Sequence, residues 1–512
     1  MRTRRSVLSL ASTLLFMIVT MTTALVTAPY LIHWLGRDRF GLFRTMSELF
    51  GYLTLLEFGL SGALAPLLAG AIGRGDHQSE RRTMAVGVRA YAFVSILSVV
   101  GGLFLAATIP FWTNVPDGLE TEARQACVVY SLGFLWLGLI PFRAAIEARQ
   151  LGYVLNLLLT GQALIIASSS MVLAWWGWGI PGQALAILIG ISVFNLTITG
   201  LMLQRNMDVL HAAVFDPVDL ETRRGLNRLS GSTLAIQLAG RAGTMTDNII
   251  LGRMIDQKAV TILYFTQRLP VMVLSLLQGV SSATWAGLAE LHASGEHETY
   301  RRRVIELSGM ISILGVAALG PVVAYNRHFI DVWRVGQENN GGTAIVIVAA
   351  ANTLLVALLT LWSWSFTATG QVAKLLPIGI VSAIFNVIAS VVLTWRFGVI
   401  GPLLGTTVSF LFISSWSVPE LLHRNFGVSR ISLASAVLKP LACGIPYTIL
   451  LWWVAQTHRP RGLIGLGAEM SLAAVGFLVL AGFCLLSSAE RSVWIGRIRA
   501  LRTTQPATSP VV

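Results

Sequence analysis

RFGLFRTMSELFGYLTLLEFGLSGALAPLLAGAIGRGDHQSERR, residues 39–82, returns as AVTILYFTQRLPVMVLSLLQGVSSATWAGLAELHASGEHETYRR, residues 259–302. The offset is 220 residues: Gly59 falls on Gly279, Ser61 on Ser281, Ala63 on Ala283, Gly75 on Gly295, His77 on His297, and Arg81 and Arg82 on Arg301 and Arg302. Each copy is a long apolar run closed by a short polar elbow. Apolar runs of roughly 20 residues are long enough to cross a bilayer as helices. Two copies of one membrane bundle in a chain are the ground plan of a secondary transporter, whose substrate path lies where the repeats meet.

The rest of the 512-residue chain fits this plan. It is 54% hydrophobic and 12% charged, against about 25% charged for a soluble domain, and its mean hydropathy is +0.71. Backbone polar groups in lipid must be satisfied inside helices or closed barrels, and the short alternating segments of a barrel are missing. The expected fold is an all-α polytopic membrane protein with about 14 transmembrane helices. Among them, 7–33, 42–71, 122–147, 259–291 and 399–422 read as single spans. The start, MRTRRS and an apolar stretch to Tyr30, exceeds the roughly 7–15 residues of a signal-peptide core, so it reads as a retained first helix.

The duplication reaches further. Ser9, Ser12 and Thr23 fall on Ser230, Thr233 and Thr244, and Gly179 and Gly182 on Gly398 and Gly401. Six spans per half make the repeat parallel, related by an axis along the membrane normal. The expected division is a six-helix bundle over 1–205, a cytoplasmic linker over 206–228, a second six-helix bundle over 229–425, two additional helices over 435–487, and a cytoplasmic tail over 488–512.

The net charge of +13 does not signal nucleic acid, because no basic run interleaved with aromatics occurs. Lys and Arg instead gather at one set of span ends, which places both termini in the cytoplasm. Cys127, Cys443 and Cys484 lack metal or disulfide spacing, and the eight histidines are scattered. No GxxxxGKS/T loop occurs. No cofactor, no metal and no enzyme activity are expected, since acid–base clusters are missing; a monomer is the default.

Charge inside a membrane is costly and marks candidate sites. Ser230, Thr233, Gln237, Arg241, Thr244 and Asn248 share one face of the seventh span. Ser9, Thr13, Thr20, Thr23 and Thr27 form the matching stripe of the first, with Thr20 at the repeat position of Arg241. Such stripes face either a hydrated cavity or partner helices as hydrogen-bonding glue. Arg44 and Glu48 stand at i, i+4 and can pair; Arg268 holds the repeat position of Glu48. Glu57 lies on roughly the opposite side from Arg44. Glu48, Glu57 and Asp247 are candidate ion-coupling groups, although Glu57 can equally bond a neighbouring helix and Asp247 can pair with Arg253. Guanidinium groups suit bidentate contact with phosphate. Arg44, Arg241 and Arg268, with Gln237, Thr20 and Asn248, therefore point to a cavity for an anionic, phosphate-bearing substrate.

LGRDRFGLFRTMSELFGYLTLLEFGLSGAL (35–64) resembles the helix-two signature of Wzx-type polysaccharide-repeat flippases, members of the multidrug/oligosaccharidyl-lipid/polysaccharide (MOP) exporter superfamily. The resemblance continues in TDNIILGRMI (246–255), FIDVWRVG (329–336) and ATGQVAKLLPIGIVSAIFNVIASVVLTWRFGVIGPLLGTTV (368–408). It implies alternating access, and a lipid-linked, undecaprenyl-diphosphate-type oligosaccharide passed from the cytoplasmic to the periplasmic leaflet of a bacterial inner membrane. It further implies a place in O-antigen, lipopolysaccharide or exopolysaccharide assembly beside a polysaccharide polymerase, with proton or sodium gradients as the drive in several members. The cationic-lumen role would fall on Arg44, Arg241 and Arg268. The alternative within the superfamily is a drug/cation antiporter, which needs an acidic cavity; the first span carries no carboxylate.

Overall fold

The first helix, α1 (Arg2–Leu53), bends at Gly36, whose φ of 75° and ψ of 171° suit a residue without Cβ. The computed structural model describes residues 2–215, 246–458 and 460–485. After α1 come α2 (Leu60–Gly73), α3 (His77–Trp112), α4 (Glu120–Gly133), α5 (Ile140–Ala148), α6 (Gly152–Trp175) and α7 (Gly179–Phe215). They are followed by α8 (Asp247–Met254), α9 (Gln257–Thr266), α10 (Arg268–Ala293), α11 (His297–Val332) and α12 (Thr343–Ala368). The last are α13 (Leu376–Phe397), α14 (Gly401–Ser409), α15 (Ser415–Phe426), α16 (Arg430–Thr457) and α17 (Gly462–Cys484). No strand occurs among the described residues.

The fold is all-α and polytopic. Among the described residues, 11 helical stretches are long and apolar enough to cross a membrane. Two of them, Ala11–Glu57 and Val372–Phe426, each hold two of the expected spans. The seventh expected span lies mostly outside the described residues, as do Gln237 and Arg241. Helix α7 runs on to Phe215, into the segment 206–228 expected to link the bundles.

Four expected single spans are interrupted. The span 42–71 breaks at a 3-10 turn, Thr54–Glu57, followed by left-handed Phe58 (φ 51°) and Gly59 (φ 74°). The span 122–147 breaks at the 3-10 turn Phe134–Leu139, where buried Ser95 Oγ donates to the Phe134 carbonyl at 2.6 Å. The span 259–291 breaks at Gln267: Pro270 sits in the first turn of α10, where a missing N–H costs nothing because first-turn donors lack intrahelical partners. The span 399–422 carries a π turn at Phe410–Ser414.

The chain forms two compact units. One comprises Met1–Thr266, Trp333–Gly341 and Ala373–Ser414; the other comprises Gln267–Val332, Gly342–Val372 and Ser415–Val512. The first has one core around Leu64, Leu68, Tyr91 and Phe142, and another around Leu42, Met46, Ile109 and Ala126. In the second, Val316 and Ala317 of α11 pack with Phe477 and Ala481 of α17. Lipid offers no hydrophobic drive between helices, so small residues bring backbones together. A Cβ on Gly405 would lie 2.5 Å from the Ser390 backbone, and one on Gly444 2.1 Å from Val316 Cγ1.

The repeat is legible in the backbone. Gly75 (φ 68°) and Gly295 (φ 77°) make the same left-handed elbow. His77 N–H donates to the Gly75 carbonyl and His297 N–H to that of Gly295, at 3.2 and 2.8 Å. The helices that follow, α3 and α11, are both 36 residues long.

Candidate functional site

Within the first unit, α1 and α9 lie side by side, and residues at equivalent repeat positions oppose one another. A Cβ on Gly41 would stand 1.9 Å from the Gln257 carbonyl oxygen and 2.9 Å from Thr261 Oγ1. Thr261 in turn donates to the Arg37 carbonyl at 2.7 Å. Since 37 and 41 correspond to 257 and 261, the contact of 41 with 257 is the image of the contact of 261 with 37. Three residues on, the Arg44 guanidinium lies over the ring of Tyr264, its own repeat partner, with Cζ 4.6 Å from the centroid. Reciprocal contacts between equivalent residues are the mark of a two-fold relation between the two helices.

Buried hydrogen bonds hold this seam. Thr45 Oγ1 donates to Gln257 Oε1 at 3.0 Å, and Gln257 Nε2 donates to Thr113 Oγ1 and to the Asn114 carbonyl, both at 2.7 Å. Thr45, Thr113 and Gln257 are fully buried. Arg253 Nη1 donates to Asn114 Oδ1 at 2.9 Å, so it is this asparagine, not Asp247, that Arg253 engages. Phe40 packs against both Tyr264 and Phe265, with centroids 5.1 Å apart in each case.

One turn beyond Arg44 lies the second cluster. Glu48 does not pair with Arg44 within 4 Å: the guanidinium is committed to Tyr264, while Asn248 Nδ2 donates to Glu48 Oε1 at 2.5 Å. Glu48 Oε2, Asn248 Oδ1 and Arg44 Nε are enclosed without a hydrogen-bond partner. Asp247 is close enough for its charge to act on Glu48. Tyr52 Oη and Thr246 Oγ1 bond at 2.6 Å on the next turn. The structure thus brings Arg44, Glu48, Asp247 and Asn248 together.

The hydroxyl stripe of α1 is engaged in contacts of its own. Thr20 spends its hydroxyl on its own helix, bonding the Phe16 and Met17 carbonyls at 2.8 and 3.0 Å. Asn156 of α6 reaches Ser12 and Thr13 at 3.1 and 2.8 Å, so the lower end of that stripe is interhelical glue. Glu57 ends the 3-10 turn between α1 and α2. Arg268 opens α10 directly after the break at Gln267. Gln257, Thr45, Tyr264 and Asn156 escaped the sequence reading. Overlaying the two copies would have flagged Tyr264, because an aromatic ring stands there opposite Arg44.

Each unit also holds a cavity of its own. In the first unit, a cavity of about 380 Å³ is lined by Phe50, Thr54, Tyr130, Trp136, Arg143 and Gln162, among others. In the second, an apolar groove of about 520 Å³ runs between α11, α12 and α16, with Leu319, Val323, Ile347, Leu354, Ile445 and Trp452 on its walls. Among the described residues no group of three or more His, Cys, Asp or Glu side chains is placed to hold a metal ion.

No family model matches the chain. Its sequence is 23% identical over 476 residues, 91% of this chain and 92% of the other, to a Haloferax volcanii protein named "Probable flippase AglR". It is 19% identical over 405 residues, 78% of each chain, to "Probable low-salt glycan biosynthesis flippase Agl15" of the same organism. Among solved structures, the lipid II flippase MurJ in its inward closed conformation superposes with a TM-score of 0.71 at 12% identity, covering 93% of this chain and 98% of that one. An outward-facing multidrug resistance MATE transporter of the MOP superfamily gives 0.57 at 13% identity, covering 86% and 96%.

Proposed function

From a chain that has the fold of the MOP-superfamily transporters and relatives named as flippases, we propose a secondary transporter that flips an anionic, polyprenyl-diphosphate-linked oligosaccharide. Transport runs from the cytoplasmic to the outer leaflet by alternating access, for cell-surface polysaccharide biosynthesis. The observation that carries this reading is the near full-length likeness to AglR, joined by the glycan-biosynthesis name of Agl15. The apolar groove of the second unit suits the polyprenyl chain, since its walls offer almost no polar atoms. The arginines supply the phosphate-binding chemistry: Arg44, whose Nε has no acceptor, together with Arg241 and Arg268. Gln237 and Asn248 serve as polar wall beside Arg44. Both termini face the cytoplasm, and the two bundles over 1–205 and 229–425 rock against each other.

The test is flipping of a fluorescent polyprenyl-diphosphate oligosaccharide in vesicles holding the purified protein. Wild type moves the label across the bilayer, and Arg44→Ala and Arg268→Ala abolish movement while still inserting. Equal movement by wild type and both variants would remove the cationic cavity from the account. Export of a cationic dye, lost in Glu57→Gln, would favour the antiporter instead.

A further inference from the structure

The cavity of about 380 Å³ in the first unit lies where two 3-10 breaks meet. Thr54 reaches it from one turn, and Phe134, Trp136 and Leu137 from the other. Non-helical backbone at membrane depth is tolerated where it is buried in protein or lines a cavity. Most polar groups on these walls are already spent. Tyr130 Oη and Ser47 Oγ bond at 2.9 Å, and Trp136 Nε1 donates to Ser192 Oγ at 2.8 Å. Thr54 Oγ1 donates to the Gly51 carbonyl and Asn195 Nδ2 to the Ile191 carbonyl, both at 2.8 Å. Water needs two to four polar partners, and such walls offer it few. An empty space would leave its lining without contacts, so an apolar occupant suits it best.

The groups left over fall in a definite order. The Gln162 amide makes no hydrogen bond among the described residues. A Cβ on Gly190 would lie 3.3 Å from the Gln162 carbonyl oxygen, which sets Gln162 near the level of Ser192 and hence of Trp136. About two turns past Trp136, roughly 10 Å along the segment, stands Arg143. Its Nε donates weakly to Glu147 Oε1 at 3.4 Å, and its Nη atoms donate to nothing among the described residues. Glu147 is one turn further on, next to the helix end that the Arg149–Glu80 ion pair closes at 2.6 Å. In the opposite direction Val129, Ala184, Ile187 and Leu188 add only apolar side chains. Carboxylate, guanidinium, amide and hydrocarbon wall therefore follow one another inward from the helix end. A phospholipid with a primary ammonium presents the complementary series: ammonium, phosphate, ester carbonyl, acyl chain.

We infer that this cavity holds one acyl chain of a phosphatidylethanolamine from the surrounding bilayer, with its ammonium on Glu147, its phosphate on Arg143 and an ester carbonyl on the Gln162 amide. The lipid fills the space beside both broken helices and wedges α4 and α5 against α7. It is a resident of the bilayer and not the cargo, so the test needs no transport.

The full-length protein, in phosphatidylcholine vesicles, is given trace phosphatidylethanolamine or phosphatidylglycerol with a photoreactive diazirine at the chain end, and adducts are mapped by peptide mass spectrometry. In wild type the ethanolamine lipid is expected to label Val129 and Ile187 several-fold more than the glycerol lipid does. Exposed Ile96 and Phe104 of α3 should take both equally. Glu147→Gln should bring the two lipids level in the cavity, and Arg143→Gln should lose both there; both side chains are exposed, so the fold is spared. Ile187→Trp, which fills the apolar end, should remove the Val129 adducts and leave those on α3. Equal cavity labelling by the two lipids in wild type, or a pattern that Glu147→Gln and Arg143→Gln leave unchanged, overturns the site. So does loss of the adducts when a polyprenyl-diphosphate oligosaccharide is added, which would give the cavity to the cargo.

Discussion

Residues 39–112 and 259–332 are two copies of one design, and they bend in different places. Both pass through the same glycine elbow, at Gly75 and Gly295, into helices of equal length. Before the elbow they part. The first copy stays helical to Leu53 and unwinds over Thr54–Gly59; the second breaks at Gln267 and then runs unbroken through Ala293. Mapped across, Gln267 falls on Ser47 in mid-helix, and Gly59 falls on Gly279, which is helical. Pro270 explains the second break and has no counterpart, because Phe50 stands in its place and packs in the core. Duplication conserved the elbows, and divergence moved the hinges.

The comparison breaks most violently at Gly41. The two copies approach so closely there that Gly41→Ala drives a methyl into the Gln257 backbone oxygen. Neither backbone can yield without parting α1 from α9. Overpacking of this kind costs about 1–3 kcal/mol and occasionally more, and the upper end is expected because the obstacle is backbone. Thermal unfolding in detergent measures it. Gly252→Ala, which meets only the Thr45 and Thr113 side chains, should lose less.

Gln257→Leu comes next. It strips Thr45, Thr113 and the Asn114 carbonyl of their partner while keeping the volume. Unsatisfied buried groups cost about 1–3 kcal/mol each, and side-chain adjustment recovers part, so a loss of about 2–3 kcal/mol is expected. Cysteines placed at residues 37 and 261 should then cross-link more slowly than in wild type; an unchanged rate would show that the hydrogen bonds do not hold the seam.

How much of this was readable beforehand depends on which physics spoke in one-letter code. The repeat and the elbows were legible, because a left-handed turn needs glycine and both copies supply it at the same offset. Arg44 and Glu48 stand out in the sequence as charges in a membrane helix, but their i, i+4 spacing suggests that they pair. Nothing local reveals that Tyr264 claims the guanidinium and Asn248 the carboxylate, since both come from some 200 residues away in the chain. The 3-10 turn at Thr54–Glu57 was hidden for a related reason: Gly59 and Gly279 are the same letter, and tertiary packing decides which one unwinds.

That pair gives a prediction of opposite signs. At Gly59 (φ 74°) an alanine is forced into left-handed backbone, at a cost of about 1–2 kcal/mol. At Gly279 an added Cβ meets nothing within 4 Å, and alanine in a helix interior is favoured by about 0.5–1 kcal/mol. Gly59→Ala should lower the unfolding temperature and Gly279→Ala raise it; shifts of the same sign would mean that the two copies bend alike in the protein.

The smallest effect lies at the elbows themselves, where the copies differ by one methylene. Asp76 caps α3 by accepting the Ser79 N–H at 2.9 Å. Glu296, its counterpart, makes no such bond among the described residues. The backbone and side-chain hydrogen bonds of Ser79 hold the Asp76 carboxyl below the usual aspartate range. A lowered carboxylate value adds stability above the unfolded aspartate value of about 3.9, and that increment is lost as the pH falls through the lowered value. Asp76→Asn keeps a capping oxygen but cannot titrate, so its unfolding temperature should trail wild type near neutrality and converge with it in acid. Glu296→Gln, with no cap to lose, should run parallel to wild type across the same range; convergence there too would assign the pH response to the rest of the chain rather than to the cap.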